Sequence, residues 1–205
     1  IVISCNPTPG NYRLRVRAMF STNGNLVTPC TANSYGETED YTITISAAVA
    51  CPQPNLLAVS AINAQGATLN WNAGCEEMLW DVHVGLESSG APAGAPSDAG
   101  VLQSFVKTGL DHSTQYEFWV RASCGESSVS EWSGPFAFTT TCPSGIWVGT
   151  TSDWNTASNW ADNVVPAECT AVTVNNAAPM SISTDVTIAS LTLGASANVT
   201  VNGLL

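Results

Sequence analysis

From residue 56 to residue 140 the chain passes through seven short apolar runs, roughly ten residues apart, bounded by Gly, Pro, Asn or Asp. That rhythm leaves little choice of architecture. Short runs at this spacing are the pattern of an antiparallel sandwich. They fall near Leu56–Ala61, Ala67–Asn72, Trp80–Leu86, a weak stretch at Gly90–Gly100, Leu102–Lys107, Gln115–Ser123 and Pro135–Thr140. The expected fold class is all-β, with an antiparallel β-sandwich at its centre.

The Cys51-Pro52 and Cys142-Pro143 pairs punctuate this block on both sides and predict three segments, 1–46, 51–142 and 143–205. The first holds two readable strands, Tyr12–Phe20 and Tyr41–Ile45. Tyr12, Leu14, Val16 and Ala18 share one face of the first strand, and Arg13, Arg15 and Arg17 share the other. Three arginines in a row predict ion pairs with nearby acids, or an anionic partner. Two strands alone bury too little apolar area to be stable, so further strands, from more chain or from another copy, are expected to complete the segment.

After the arginine strand come a Pro29-Cys30 loop and the run Gly36-Glu37-Thr38-Glu39-Asp40-Tyr41-Thr42. These motifs resemble the end of the GEVED domain, a small β-module of large secreted bacterial proteins, over about residues 10–46. The resemblance implies that the chain enters the module part-way. Glu37, Glu39 and Asp40 supply carboxylate oxygens of the kind Ca2+ takes, so no cofactor is required but calcium is one candidate use for them. Ion pairs with Arg13, Arg15 or Arg17 are the competing use.

Within 51–142, Leu69 two residues before Trp71, and Leu110 with Thr114 and Tyr116, resemble the fibronectin type III domain. That resemblance implies an Ig-like sandwich in which Tyr116 closes a tyrosine corner. Arg121 and Trp132, in Glu131-Trp132-Ser133-Gly134-Pro135, are expected to stack as a guanidinium on an indole. The Gly90–Ser97 arm is rich in Pro, Gly and Ala and reads as a tolerated insertion.

The third segment opens with Trp147-Val148-Gly149, Asp153-Trp154-Asn155 and Asn159-Trp160, then Pro166. This resembles the entry of parallel β-solenoid stalks in bacterial surface proteins, over about residues 145–205. Its short runs, Ala171–Val174, Met180–Ile182, Val186–Ile188, Leu191–Leu193 and Val199–Val201, suit stacked rungs that bury their apolar face on one another. The last rung is expected to be covered by further chain or a neighbouring subunit, because an open strand edge invites pairing. Trp147, Trp154 and Trp160 lie within fourteen residues and read either as a hydrophobic cap or as a platform for sugar rings.

Seven cysteines without CxxC spacing or paired histidines predict disulfides rather than zinc. Cys5 and Cys30 would close a loop over the arginine strand, and Cys142 and Cys169 bracket the tryptophan turns. The type III resemblance implies that Cys51, Cys75 and Cys124 share one pole of the sandwich, where only two can pair and the choice stays open.

Composition narrows the function. Five Lys and Arg against 16 Asp and Glu give a net charge of −11, with Lys107 the single lysine. So few cations exclude binding through nucleic-acid phosphates and disfavour anionic membranes. No run of about 18 apolar residues occurs, so no membrane insertion is expected and the chain reads as soluble, mature or a fragment, with no leader at its start. His83 and His112 have no second ligand at useful spacing, and no nucleophile elbow or phosphate loop occurs. Adjacent loop acids such as Glu76 and Glu77 do not form a glycosidase cleft.

The expected function is therefore a non-catalytic structural or adhesive segment of a secreted or cell-surface bacterial protein, assembling through open strand edges with other copies or neighbouring domains. Two other readings follow from the same residues. The modules resemble those behind secreted hydrolases, or the segment binds glycans through Trp147, Trp154 and Trp160. The structural residues expected to matter in either case are Trp71, Leu110, Tyr116, Arg121 and Trp132.

Overall fold

The computed structural model describes residues 7–20, 36–47, 51–125 and 128–202. The chain forms two compact units, Ile1–Ala50 and Cys51–Leu205. Among the described residues every regular element but one 3₁₀ turn, Ala157–Asn159, is a β-strand.

In the first unit β1 (Gly10–Met19) and β2 (Gly36–Ile45) pair antiparallel over ten residues, from Gly10 opposite Ile45 to Met19 opposite Gly36. The register places Arg13, Arg15 and Arg17 opposite Thr42, Asp40 and Thr38. Tyr12, Leu14 and Val16 stand opposite Ile43, Tyr41 and Glu39 on the other face. The ribbon is thus amphipathic by alternation alone, and Tyr12, Val16 and Tyr41 remain exposed.

The second unit opens with the sandwich. One sheet has the order β3-β4-β7, built from Asn55–Ser60, Gly66–Asn72 and Phe105–Thr108. The other has the order β6-β5-β8-β9, built from Asp98–Val101, Trp80–Leu86, Gln115–Ala122 and Ser133–Thr139. Every pairing in both sheets is antiparallel. The inward positions of β8, Tyr116, Phe118, Val120 and Ala122, meet Ala67, Leu69 and Trp71 of β4 and Trp80 and Val82 of β5. Full burial of side chains of this size contributes about 1.5–3 kcal/mol each. Trp71 and Trp80 meet edge to face with centroids 5.7 Å apart. Of the expected Gly90–Gly100 run only the end is strand, because the Pro and Gly of the arm cannot hold a ladder.

After β9 the pairing changes sense. β10 (Ala171–Val174) pairs in parallel with β12 (Ser190–Leu193), and β11 (Pro179–Ile182) pairs in parallel with β13 (Asn198–Val201). Ala171 lies opposite Ser190 and Pro179 opposite Asn198, nineteen residues along the chain in both ladders. Single parallel bridges, Ile146 to Thr173 and Asp153 to Ser181, add an earlier level on the same two sides. Val172, Val174, Met180 and Ile182 point into a second core that also contains Trp147, Trp154 and Trp160. Gly145 makes the entry possible. Its φ is +64°, and a Cβ at this position would lie 2.5 Å from the Ala171 carbonyl oxygen, which leaves no room for a side chain. Val186–Ile188, expected as a strand, is a connection instead. Val186 and Ile188 pack on the core, but their backbone has no ladder partner.

Candidate functional site

The junction between sandwich and parallel rungs holds the densest polar and aromatic construction in the second unit. Cys142, just past β9, is bonded to Cys169, just before β10. Between them the chain makes the tryptophan turns. Trp160 stands edge-on to both Trp147 and Trp154, at 5.0 and 4.8 Å. Its indole N–H donates to the Trp154 carbonyl at 2.9 Å, and that of Trp147 donates to the Ala178 carbonyl at 3.3 Å.

Asn159 holds this layer together and is fully buried. Its Oδ1 accepts from the Thr151 N–H at 2.6 Å and the Thr150 hydroxyl at 2.8 Å. Its Nδ2 donates to the Thr151 hydroxyl at 2.8 Å and the Asp153 carbonyl at 2.7 Å. Both lone pairs and both amide hydrogens are therefore used, which is what a buried amide requires. The sequence singles out Trp160 and gives the asparagine before it no such prominence. A polar residue wedged into a tryptophan-rich stretch is the signal that points to it.

The burial of the three indoles corrects the glycan reading. Trp147, Trp154 and Trp160 are only 2, 1 and 1% exposed, so none offers a ring face to a sugar. They are core because each closes the end of a stack whose apolar residues would otherwise meet water.

The three acidic residues of the first unit do not share one face. Asp40 lies on the arginine face, where Arg15 Nε approaches its Oδ1 at 2.6 Å and Arg13 approaches its Oδ2 at 3.8 Å. Glu37 and Glu39 occupy alternate positions and so project to the opposite face. Three carboxylates divided between two faces of one strand cannot converge on one ion. Among the described residues no cluster of His, Cys, Asp and Glu suited to a metal occurs. The hydrogen bond and charge of Arg15 hold the Asp40 carboxyl below its ordinary value, and Glu39, accepting from the Tyr41 hydroxyl, raises the phenol. Arg17 donates to the Thr38 hydroxyl at 3.2 Å.

On the outer face of the four-stranded sheet, Arg121 binds Asp81 Oδ2 through Nε and Nη2, both at 3.0 Å, and lies 4.6 Å from the Trp132 ring centre. Asp81 also accepts from the Gly100 N–H at 3.2 Å. On the same face Glu117 is 5% exposed although it points outward, because the turn at 88–90 folds over it. It accepts from the Gly90 N–H at 2.8 Å and the Ser89 hydroxyl at 3.1 Å. Burial alone pushes its carboxyl up, but these donors prevail and hold it below the ordinary value. Sequence reasoning misses Glu117, since its only signal is an acid at an outward strand position.

At the opposite edge of the sandwich, the Tyr116 hydroxyl accepts from the Asp111 N–H at 3.0 Å, and Leu110 packs against the core. The Lys107 ammonium, on β7, reaches Asp98 on β6 at 2.8 Å and so ties the two sheets. His83 and His112 have buried Nδ1 atoms that make no hydrogen bond among the described residues. An open cleft of about 480 Å3 touches Asn63, Gln65, Gly109 and Asp162. The Asp162 carboxylate is already committed to the Ser144 N–H at 2.7 Å and the Val164 N–H at 3.4 Å.

Of the seven cysteines, Cys51 is bonded to Cys124 and Cys75 remains a thiol. Cys5 and Cys30 lie outside the described residues.

The family model of the GEVED domain matches residues 1–44. No curated protein matches the chain. Among solved structures the chain is similar to a myokine structure, at 18% identity over 44% of this chain and 98% of that one, with a TM-score of 0.37. It is similar to the FN5 domain of Drosophila Lar, at 17% identity over 44% of this chain and 97% of that one, with a TM-score of 0.36. A computer-based redesign of a β-sandwich protein is similar at 24% identity, over 43% of this chain and 93% of that one, with a TM-score of 0.33.

Proposed function

We propose that this chain is a non-catalytic structural and adhesive segment of a large secreted or cell-surface bacterial protein, spacing and assembling modules rather than transforming a substrate. The observation that carries this is the clamp between two kinds of β-structure. An antiparallel sandwich runs into parallel rungs, and Cys142–Cys169 closes the junction around a fully hydrogen-bonded tryptophan layer. Each buried polar atom of Asn159 has a partner there, so the layer gives up no group to chemistry and serves rigidity.

The C-terminal rungs are the start of a solenoid-like stack in this reading. The same nineteen-residue offset in both ladders supports it, as does the pairing of Val172 with Leu191 and of Ile182 with Val201. The match of 1–44 to the GEVED domain and the disulfides support an oxidising, extracellular setting. Assembly proceeds through strand edges, those of the β1–β2 ribbon and of β12 and β13, by adding strands. Negative-stain microscopy of the purified chain tests the assembling role. Filaments or end-to-end chains are expected, and dispersed single particles at high protein concentration would rule assembly out.

A further inference from the structure

The sandwich carries three cysteines on three chain segments, two of them joined in a bridge and one a thiol. Cys51, the first residue of the second unit, is 9% exposed, and its partner Cys124, just past the end of β8, is exposed. Cys75, half-buried in the β4–β5 loop, is a thiol. Gly74 brings that loop against the residues that follow Cys51. A Cβ on Gly74 would lie 2.6 Å from the Gln53 carbonyl oxygen and 2.9 Å from the Pro52 Cβ. The residue before the thiol therefore touches the residues that follow Cys51.

We infer that Cys75 exchanges with the Cys51–Cys124 bridge, so that Cys51 is held alternately by Cys124 and by Cys75. The Cys75 thiol gives its proton to solvent, and its sulfur attacks Cys51 Sγ in line with the existing bond. The Cys51–Cys75 bond forms as the Cys51–Cys124 bond breaks, and Cys124 leaves as a thiolate that takes up a proton. One disulfide and one thiol are present before and after, so no oxidant or reductant enters the step.

The geometry favours Cys124 as the leaving group. It lies in solvent, and its backbone keeps its place without the bridge, since its N–H donates to the Ser128 carbonyl at 2.9 Å and Ser123 pairs with Val129. Exchange moves the anchor of the unit's first residue from the four-stranded sheet to the loop that follows β4 of the three-stranded sheet.

The test is thiol mapping on the intact chain. The protein is held at neutral and mildly alkaline pH, alkylated with N-ethylmaleimide without reduction, digested and mapped by mass spectrometry. Label at Cys124 as well as Cys75, with a Cys51–Cys75 crosslinked peptide beside Cys51–Cys124, is the expected result, and its rate should rise about tenfold per pH unit below the thiol's pKa. Label confined to Cys75, with Cys51–Cys124 the single bridge of this trio after prolonged incubation, overturns the inference. Cys124→Ser supplies an independent arm. A Cys51–Cys75 bridge in that variant is expected, whereas a variant that folds with Cys51 and Cys75 both open to alkylation after air oxidation contradicts it.

Discussion

Trp160 donates its indole N–H to the carbonyl oxygen of Trp154 at 2.9 Å while the two rings meet edge to face at 4.8 Å. One side chain thereby both satisfies the backbone of the tryptophan turn and fills the space beneath it. Trp160→Phe keeps most of the ring but leaves the buried Trp154 carbonyl without this donor, and should cost about 1–3 kcal/mol. Trp160→Ala should cost about 3–5 kcal/mol. Trp71 is the control, because its buried N–H makes no hydrogen bond and Trp71→Phe loses volume alone. Urea midpoints of the three variants check the ranking.

Asn159→Ala removes four hydrogen bonds at once, leaving the Thr151 N–H without its acceptor and the Asp153 carbonyl with only the Thr156 N–H at 3.3 Å. Four hydrogen bonds at about 0.5–1.5 kcal/mol each exceed the one that Trp160→Phe gives up, so this variant should lose more. Hydrogen exchange should show the loss first at the amides of 147–160. Uniform loss of protection across the sandwich as well would mean that the layer is not a local clamp.

Glu117 makes the stability of the sandwich depend on pH. Its folded pKa lies below the ordinary glutamate value of 4.5. The unfolded chain therefore binds its proton more readily, and the stabilisation is fully present above about pH 4.5 and disappears as the pH falls through the lower folded value. Glu117→Gln should be less stable than the parent at pH 7 and should converge on it in acid. Thermal melts of both proteins from pH 7 downward check the sign, and a gap that persists unchanged in acid would contradict it.

Arg121 couples β8 to β5 and to the loop before β9 through Asp81 and Trp132. A double-mutant cycle with Arg121→Met and Asp81→Asn should return a coupling of about 1.5–3 kcal/mol, the range for hydrogen bonds to charged groups. Arg121→Lys should recover only part of it, since a point charge cannot reproduce two guanidinium contacts.

The strands of the sandwich are readable in the sequence because alternation at period two survives wherever one face is buried, as in Tyr116, Phe118 and Val120. Tyr116 is readable for a second reason, since its spacing from Leu110 marks a recurring corner. Much of the candidate site is harder to read. Clustered indoles look alike in sequence whether they cap a core or face a ligand, and only the parallel stack around Val172 and Met180 decides the matter for Trp160. Glu117 and Asn159 are buried by neighbours far along the chain or by turns with no periodicity of their own. Glu37, Glu39 and Asp40 show the reverse case, where adjacency in sequence suggests convergence and the pleat of β2 sets Asp40 on the face opposite the two glutamates.

Single-molecule stretching of the chain, with and without a thiol reductant, shows whether sandwich and parallel rungs form one disulfide-clamped structural element. Cys142 and Cys169 are 27 residues apart in sequence. Reduction should therefore release about 90–100 Å of extra length from the junction, at roughly 3.3–3.6 Å per residue. The rungs should also yield at lower force once it is released. Equal extension of the junction in both conditions would mean that no clamp exists, and that the two kinds of β-structure are joined by the chain alone.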